Sequence, residues 1–380
     1  MIRLLAVLLL LALPAGAIAA EFTPEERAAL LRHGPWPLPL ERDDSNRLSG
    51  NQAAIAFGQA LFFDPRLSAK GDMSCATCHQ PARRYSDNEK GRGEFLRNVP
   101  SLLDIRWNRW FGWDGAQDNL WSQSLRPMLS AAEMAATPKL IADHIRSDAD
   151  LRCRYRAATG AVPEADDDAV AVMASKALAA FQETLISGPA PFDAFRDDLA
   201  ANRTPNLSEA AQQGAKLFVG KGQCAICHIG PGFTNREFHD IGVPYMVRPG
   251  LVDPGRHLGL RRLSESKLTR LGPFSDDPAR ESVTTRHVTL LHRNWGEFRV
   301  PSLRNLVGTA PYMHNGSRAT LRDVVRHYSE LNEERLHADG ERLLKPLFLG
   351  NDEIDALVAF LEALSGPSPA EPAPLAACIP

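Results

Sequence analysis

The chain has no large excess of charge of either sign, since 43 Lys and Arg against 46 Asp and Glu give a net charge of −3 over 380 residues. Proteins that bind nucleic acid usually carry a basic patch or stripe, and this sequence shows none. Beyond residue 20 the sequence also lacks a run of about 20 apolar residues, the length that spans a bilayer. We therefore expect neither a nucleic-acid partner nor a membrane span. The length fits about two globular domains.

One apolar run does occur, at the start of the chain. Residues 1–20 have a basic start, a leucine-rich stretch and small residues at the end, which is the pattern of a cleaved signal peptide. A membrane anchor would need a longer run, and Pro14 and Gly16 interrupt this one. We expect cleavage near Ala19 or Ala20 and a mature protein that is exported.

Cysteine is scarce, and its placement is informative. Four of the six cysteines form two C-x-x-C-H motifs, at residues 75–79 and 224–228. In this motif two thiols form thioethers to a c-type haem and the histidine binds the iron. A redox-active pair or half a zinc site would explain one C-x-x-C, but two copies followed by histidine favour haem. The predicted attachment residues, for two covalently bound haem c groups, are Cys75, Cys78, His79, Cys224, Cys227 and His228.

The other two cysteines, Cys153 and Cys378, lie outside the motifs. An exported compartment usually oxidises free thiols, so the two are candidates for a disulfide that ties down the Pro/Ala-rich tail after Gly366. The sequence alone leaves this pairing open, because connectivity does not follow from spacing.

The sequence around the two motifs repeats itself. GQALF at residues 58–62 precedes the first motif, and GAKLF at residues 214–218 precedes the second. Farther on, VPSL at residues 99–102 recurs at residues 300–303, an offset of 201. The repeat predicts a mainly α fold, with two cytochrome c-type haem domains in tandem related by a pseudo-two-fold internal repeat. The helices predicted before the two motifs run over residues 51–63 and 207–219.

The same offset distinguishes the two haem sites. It carries Pro127 onto Tyr328, where the helix after the VPSL loop would bring the distal ligand over the haem. Proline has no side chain that binds iron, and no histidine occurs between His79 and His144. We therefore predict an open, five-coordinate haem on His79 and a six-coordinate haem held by His228 and Tyr328.

Other ligands stay open at both haems. At the first, the thioethers of Met128 and Met134 are available, although both lie off the repeat position. At the second, Tyr328 is equally well explained as a buried aromatic, since residues 320–331 form the pattern of a capped amphipathic helix. The remaining candidates downstream of the second motif are Met246, Met313, His239, His257, His287, His292, His314, His327 and His337.

These features divide the chain into five predicted segments. They are a signal peptide at 1–20, an N-terminal extension at 21–50, a first cytochrome c-like domain with the open haem at 51–200, a second with the six-coordinate haem at 201–366, and a C-terminal tail at 367–380.

The sequence resembles the bacterial diheme cytochrome c peroxidase and MauG superfamily over nearly the whole mature chain. The motifs that carry the resemblance are FGQALFFDPRLS, SCATCH, the WDG loop and FRVPSLRNLVGTAPYMHNGS. Conventional diheme peroxidases have methionine at the position of Tyr328, whereas MauG has tyrosine. The insertion HLGLRRLSESKLTRLGPFSDDP looks more like the MbnH type. The resemblance thus implies the MauG/MbnH-like branch.

The resemblance also implies roles for residues that carry little signal of their own. Gln123 and Glu133 would line the open haem face, with Pro127 at the blocked ligand position, and Trp113 would lie between the haems. Glu133 would move a proton between the two oxygens of peroxide, and Gln123 would hydrogen-bond to the oxidant. Alone, Glu133 and Gln123 are typical of solvated surface positions, and Trp113 of a turn anchor. An implied calcium ion would draw on Asn98, Thr309 and the carbonyl of Pro311.

The sequence departs from the family in two places. MauG has a tryptophan two residues before the second motif, on the surface that meets its substrate protein, and here that position is Gly222. This departure puts methylamine dehydrogenase in doubt as the partner. The first-haem loop also lacks the histidine that leaves on activation in conventional diheme peroxidases, so we expect no reductive activation step.

The resulting prediction is a periplasmic diheme c-type oxidoreductase that uses hydrogen peroxide to form a high-valent diheme state and oxidises a tryptophan of a partner protein. A phenolate ligand favours this function, because it stabilises ferric and more oxidised iron. The first alternative is a cytochrome c peroxidase that reduces peroxide to water with electrons from a small cytochrome c. The second is a non-enzymatic electron carrier with both haems closed.

Overall fold

The structure is a computed structural model that describes residues 21–89, 91, 93–243, 246–334 and 337–378. The predicted signal peptide, residues 1–20, lies outside the described residues. Within the described part, no helix is both long enough and apolar enough to cross a membrane.

Helices dominate the described residues, which confirms the predicted fold class, and the strands are short. The α-helices are α1 Pro24–Leu31, α2 Gln52–Phe62, α3 Cys75–Cys78, α4 Leu120–Leu129, α5 Pro138–Ser147, α6 Ala149–Thr159, α7 Asp167–Gln182, α8 Pro191–Ala200, α9 Glu209–Val219, α10 Arg256–Glu265, α11 Val283–His287, α12 Leu321–Ser329 and α13 Asn351–Glu362. Short 3-10 turns span Pro65–Leu67, Pro81–Arg83, Ile105–Trp107, Cys224–Ile226 and His292–Asn294. Strands β1 Phe238–His239 and β4 Phe298–Arg299 pair antiparallel, as do β2 Met246–Arg248 and β3 Leu251–Val252.

Each half of the chain is built on one close helix pair, and a glycine permits each close approach. In the first half α2 packs on α7, and a β-carbon at Gly58 would lie 2.0 Å from the carbonyl oxygen of Ala177. In the second half α9 packs on α13, and a β-carbon at Gly214 would lie 2.0 Å from the carbonyl oxygen of Ala356. A real side chain cannot occupy either position without separating the helices. The repeated glycine before each haem motif is therefore a packing requirement.

The internal repeat is visible in the backbone as well. An antiparallel bridge joins Phe111 to Gln117 in the first half, and another joins Tyr312 to Arg318 in the second. The members of these bridges are 201 residues apart, the offset of the repeat. Each bridge leads into a helix, α4 or α12, whose N-cap side chain accepts a hydrogen bond from the backbone.

The hydrophobic core of the second half takes in helices that precede it in the chain. Leu30 from α1 and Phe192 and Phe195 from α8 are buried together with Phe218 and Phe360. The N-terminal extension is thus part of the packing around the second haem motif. The domain boundaries drawn from the sequence stay a prediction.

An ion-pair network joins the two halves. Arg97, from the first half, lies 2.6 Å from Asp114 Oδ2 and 2.7 Å from Asp253 Oδ1, a residue of the second half. The Asp114 and Asp253 side chains are almost fully buried, so the guanidinium supplies the positive charge that both carboxylates require.

The tail folds back on the first half. A disulfide joins Cys153 on α6 to Cys378 in the tail, which settles the pairing that the sequence left open. The tail also accepts hydrogen bonds from two helices, at the carbonyls of Ala373 and Ala376.

Substituting Cys378 with serine should release the tail and lower the free energy of unfolding by about 2–4 kcal/mol, the usual contribution of a native disulfide. Calorimetry of the oxidised wild type and of Cys378→Ser, each with and without reductant, measures the effect. Reductant should lower the melting temperature of the wild type and leave that of the variant unchanged. A wild type that is indifferent to reductant would contradict the role of the cross-link.

Candidate haem sites

The first motif forms a short capped helix that presents its histidine as a neutral ligand. Ser74 and Thr77 cap α3 reciprocally, and the His79 backbone N–H donates to the carbonyl of Cys75. His79 Nδ1 lies 2.9 Å from the carbonyl oxygen of Tyr85 and must donate to it, which leaves the Nε2 lone pair for a metal. Burial lowers the pKa of His79 and thereby favours the neutral ring.

The second motif repeats this arrangement. His228 Nδ1 lies 2.9 Å from the carbonyl oxygen of Phe233, so Nε2 again keeps its lone pair. Burial lowers the pKa of His228 to about 4. Burial also raises the pKa of the Cys75 and Cys224 thiols to about 12. Each motif therefore presents a neutral imidazole, which is the form of histidine that binds haem iron.

A cavity of about 280 Å³, which we call the second cavity, lies over the second haem motif. Tyr328 is the eighth residue of α12, and burial together with the Cys224 and Cys227 sulfurs raises the pKa of its phenol. The predicted distal ligand and the predicted proximal ligand therefore border the same space. The lining residues that matter here are Trp113, Cys224, Cys227, His228, Arg299 and Tyr328.

The alternative ligands fall into two groups. His239, Met313 and His314 line the same cavity. Of these, His239 is held by Glu341, 2.7 Å from its Nδ1, and His314 is stacked on Phe298. The others have different surroundings: Met246 and His287 are exposed, His257 stacks on Trp295, His327 contacts the carbonyl of Ile241, and His292 and His337 share Asp339.

In the first half, α4 holds the residues expected on the open face. Pro127 is the eighth residue of α4, so it occupies the place that Tyr328 has in α12. Gln123 lies one turn earlier, and its Oε1 is buried without a hydrogen-bond partner among the described residues. An unsatisfied buried acceptor of this kind is suited to a ligand that can donate a hydrogen bond. Met128 and Met134, the possible thioether ligands, are buried in the hydrophobic core of the first half.

Glu133 is positioned by a residue that the sequence did not point to. The chain turns back after α4, where the Met134 N–H donates to the carbonyl of Pro127. This turn places Glu133 Oε1 3.1 Å from the Arg126 guanidinium. Glu133 also lies within electrostatic range of His79, since its charge opposes the effect of burial on the pKa of that ring. Arg126 directly precedes Pro127 in the sequence, but no local sequence pattern indicates that it pairs with Glu133, seven residues later.

Trp113 connects the two halves of the chain. Its indole Nε1–H donates to the carbonyl of Asn98 (2.8 Å), and its own carbonyl accepts from the backbone N–H of Arg299 (2.9 Å). The ring lines the second cavity. Trp113 is thus hydrogen-bonded to both halves of the chain, and its place between two haems stays a prediction.

The residues expected to bind calcium are only partly brought together. Asn98 Nδ2 lies 2.5 Å from the carbonyl oxygen of Pro311, and Asn98 Oδ1 is buried with no hydrogen-bond partner among the described residues. Thr309 Oγ1 instead donates to the carbonyl of Leu306. All three border the second cavity. The amide nitrogen of Asn98, and not its oxygen, faces the Pro311 carbonyl, so the calcium site stays a prediction.

Arg299 was not predicted, and it is the clearest charge in the second cavity. It is buried, and burial lowers its pKa to about 10. No carboxylate among the described residues pairs with it, and its hydrogen bonds run to the Gly112 carbonyl and to Asn108 Oδ1. A buried guanidinium without a counter-ion is costly unless a ligand supplies one. The propionates of a haem are carboxylates of the required charge, so the residues present fit this cofactor.

The relationship to known proteins agrees with this geometry. A family model described as "Di-haem cytochrome c peroxidase" matches residues 52–200. The chain is 34% identical over 366 residues to the methylamine utilization protein MauG of Methylorubrum extorquens, covering 94% of this chain and 90% of that protein. The chain belongs to the MauG and diheme cytochrome c peroxidase superfamily. Members of this superfamily are diheme oxidoreductases that use peroxide, so the predicted enzyme class and the two haem c groups are supported.

Other relatives come from both sides of the superfamily. The chain is 33% identical to the cytochrome-c peroxidase IdrP2 of Denitromonas iodatirespirans, covering 84% of this chain and 83% of that protein. A crystal structure of a MauG-like protein associated with microbial copper homeostasis superposes with a TM-score of 0.64 at 26% identity, covering 88% of this chain and 96% of that one. These similarities place the chain in the superfamily, and its assignment to one branch stays a prediction.

Arg299→Met keeps the volume of the side chain and removes its charge. We expect the reduction potential of the haem in the second cavity to fall by roughly 60 mV, the size of a tenfold change in a one-electron equilibrium, because a nearby positive charge favours the reduced iron. Spectroelectrochemical titration of the holoenzyme measures both potentials. The control is Arg203→Met, since Arg203 is exposed and pairs with Asp198 on the surface. If the reduction potential of the haem in the second cavity is the same in the wild type, Arg299→Met and Arg203→Met, a propionate partner for Arg299 is contradicted.

Proposed function

We propose that this diheme oxidoreductase uses hydrogen peroxide to oxidise a tryptophan side chain of a periplasmic partner protein. The observation that carries the proposal is the asymmetry of two matched helices. The eighth residue of α12 is Tyr328, which borders the cavity of His228, and the eighth residue of α4 is Pro127. One haem site is therefore left open on its distal side, and the other is offered an anionic oxygen ligand.

When bound, a haem held by His79 beside Pro127 would supply a site for peroxide, and a haem held by His228 and Tyr328 would supply electron transfer. Around the open site, Glu133 can take a proton from one peroxide oxygen and return it to the other, which promotes cleavage of the O–O bond. Arg126 holds the Glu133 carboxylate in place through its ion pair. The buried Oε1 of Gln123 can accept a hydrogen bond from the oxidant.

At the second site the phenol of Tyr328 would bind as phenolate. Burial raises the pKa of Tyr328, so the phenol keeps its proton unless a cation replaces it. Ferric iron is such a cation, and a hard anionic oxygen favours its oxidised forms over the ferrous form. A methionine thioether in this place would favour ferrous iron instead. This preference suits an enzyme that retains oxidising equivalents until a protein substrate delivers electrons.

The remaining parts of the proposal concern the junction and the export of the protein. Trp113 is oxidisable and is hydrogen-bonded to both halves, so it is suited to pass charge between the haems. A calcium ion at Asn98 and Pro311 would hold the backbone that accepts the Trp113 indole bond. The leucine-rich start of the sequence supports export to the periplasm.

A second candidate is peroxide reduction with electrons from a small cytochrome c. Gly222 favours it, because the MauG tryptophan is missing at this position. A β-carbon at Gly222 would lie 2.8 Å from the carbonyl oxygen of Leu217, so this backbone has no room for an aromatic side chain there. Electrons from the substrate would then enter by a different surface.

The test uses the holoenzyme, hydrogen peroxide and the exported protein encoded beside it. Mass spectrometry of that protein should show a peroxide-dependent mass change at a tryptophan, while reduced cytochrome c is oxidised slowly. The glutamine of Glu133→Gln cannot carry the proton. The substitution should therefore lower the rate of peroxide-dependent tryptophan oxidation about 100-fold, within the usual range for general acid–base catalysis. Glu25→Gln, an exposed position on α1, should leave the rate unchanged. Fast cytochrome c oxidation with no mass change would establish the second candidate instead.

A further inference from the structure

A cluster of two histidines and one aspartate lies on the second half of the chain, apart from both haem motifs. His292 Nδ1 lies 2.8 Å from Asp339 Oδ1, and His337 Nδ1 lies 2.7 Å from the same oxygen. The two imidazole rings are 5.0 Å apart and nearly perpendicular. One ligand atom from each of the three side chains lies within 4.8 Å of the other two. Three donors from two distant segments thus converge on one point.

The orientation of His337 is set by a contact on its far side. His337 Nε2 lies 2.9 Å from the carbonyl oxygen of Trp295, which can only accept, so Nε2 carries the proton. Nδ1 faces Asp339 and His292, and it would give up its proton when a metal ion binds there. Metal-binding histidines in proteins are usually oriented by such a bond from the other ring nitrogen to a carbonyl. Trp295 is itself held by stacking on His257, at 4.8 Å between ring centroids.

We propose that His292, His337 and Asp339 bind a divalent transition-metal ion of the zinc type. Two imidazoles and one carboxylate are a donor set that suits zinc or copper, whereas calcium and magnesium prefer oxygen ligands alone. The His292 and Asp339 side chains are 68% and 52% exposed, so an ion can enter from solvent and keep water in its remaining positions. This site is independent of the proposed peroxide chemistry.

The position of the cluster suggests what the ion does. His292 belongs to the segment between α11 and β4, and the other two ligands belong to the segment between α12 and α13. The latter segment continues into the wall of the second cavity, which includes Glu341 and Leu347. The Leu347 N–H donates to the carbonyl of Tyr328. An ion at the cluster would therefore join this wall to the β4 side of the second haem site.

The binding test adds zinc to the holoenzyme and measures zinc by mass spectrometry after gel filtration, with the affinity from calorimetry. We expect one zinc ion per chain that is lost, or bound at least tenfold more weakly, in His292→Ala and in Asp339→Asn. His287→Ala removes an exposed histidine outside the cluster and should leave the affinity unchanged. Unaltered haem spectra show that each variant is folded.

A second measurement separates an ordered site from adventitious binding. Zinc should slow proteolysis between α12 and α13 in the wild type and have no such effect in His292→Ala. The proposal is overturned if the wild type takes up no zinc, or if the two cluster variants bind zinc as tightly as the wild type. In that event Asp339 serves as the counter-ion of two imidazoles and nothing more.

Discussion

Both haem sites depend on one hydrogen bond, from Nδ1 of the motif histidine to a backbone carbonyl a few residues later. In the first half the acceptor is Tyr85, and in the second it is Phe233. The bond commits each imidazole to the tautomer whose Nε2 can bind iron, and burial keeps the ring neutral. Without this hydrogen bond, neither motif would present a histidine of defined orientation. The residues on the distal side would then have no fixed iron ligand opposite them.

The two halves share this hydrogen bond and the surrounding backbone, and they differ in the residues at the distal position. The glycine-mediated helix pairs and the bridges into α4 and α12 are the same in both, so the distal helices arrive in matching positions. In the proposed function, proline at the eighth position of α4 leaves one site open, and tyrosine at the eighth position of α12 closes the other. Arg97 and Trp113 join the halves at their junction, so the two sites are held as a unit.

Features that repeat, or that act within one motif, could be predicted from the sequence. The helices before the motifs, predicted at 51–63 and 207–219, run over Gln52–Phe62 and Glu209–Val219. The offset matched Tyr328 to Pro127, and Tyr328 lines the same cavity as His228, while its role as an iron ligand stays a prediction. Features that depend on distant partners could not. Arg299 has no local sign of burial, and α8 gives no sign that it joins the core of the second half. The convergence of His292 and Asp339 likewise exists only in the folded chain.

The central claim, one open haem and one haem closed by Tyr328, is tested most directly by quantitative EPR of the oxidised holoenzyme. The account predicts one high-spin and one low-spin ferric signal of equal intensity per chain. In Tyr328→Phe the high-spin signal of the first haem should be unchanged, and the low-spin signal should be lost or altered, because phenylalanine has no oxygen to bind iron. Two low-spin signals in the wild type, or an unchanged low-spin signal in Tyr328→Phe, would contradict it.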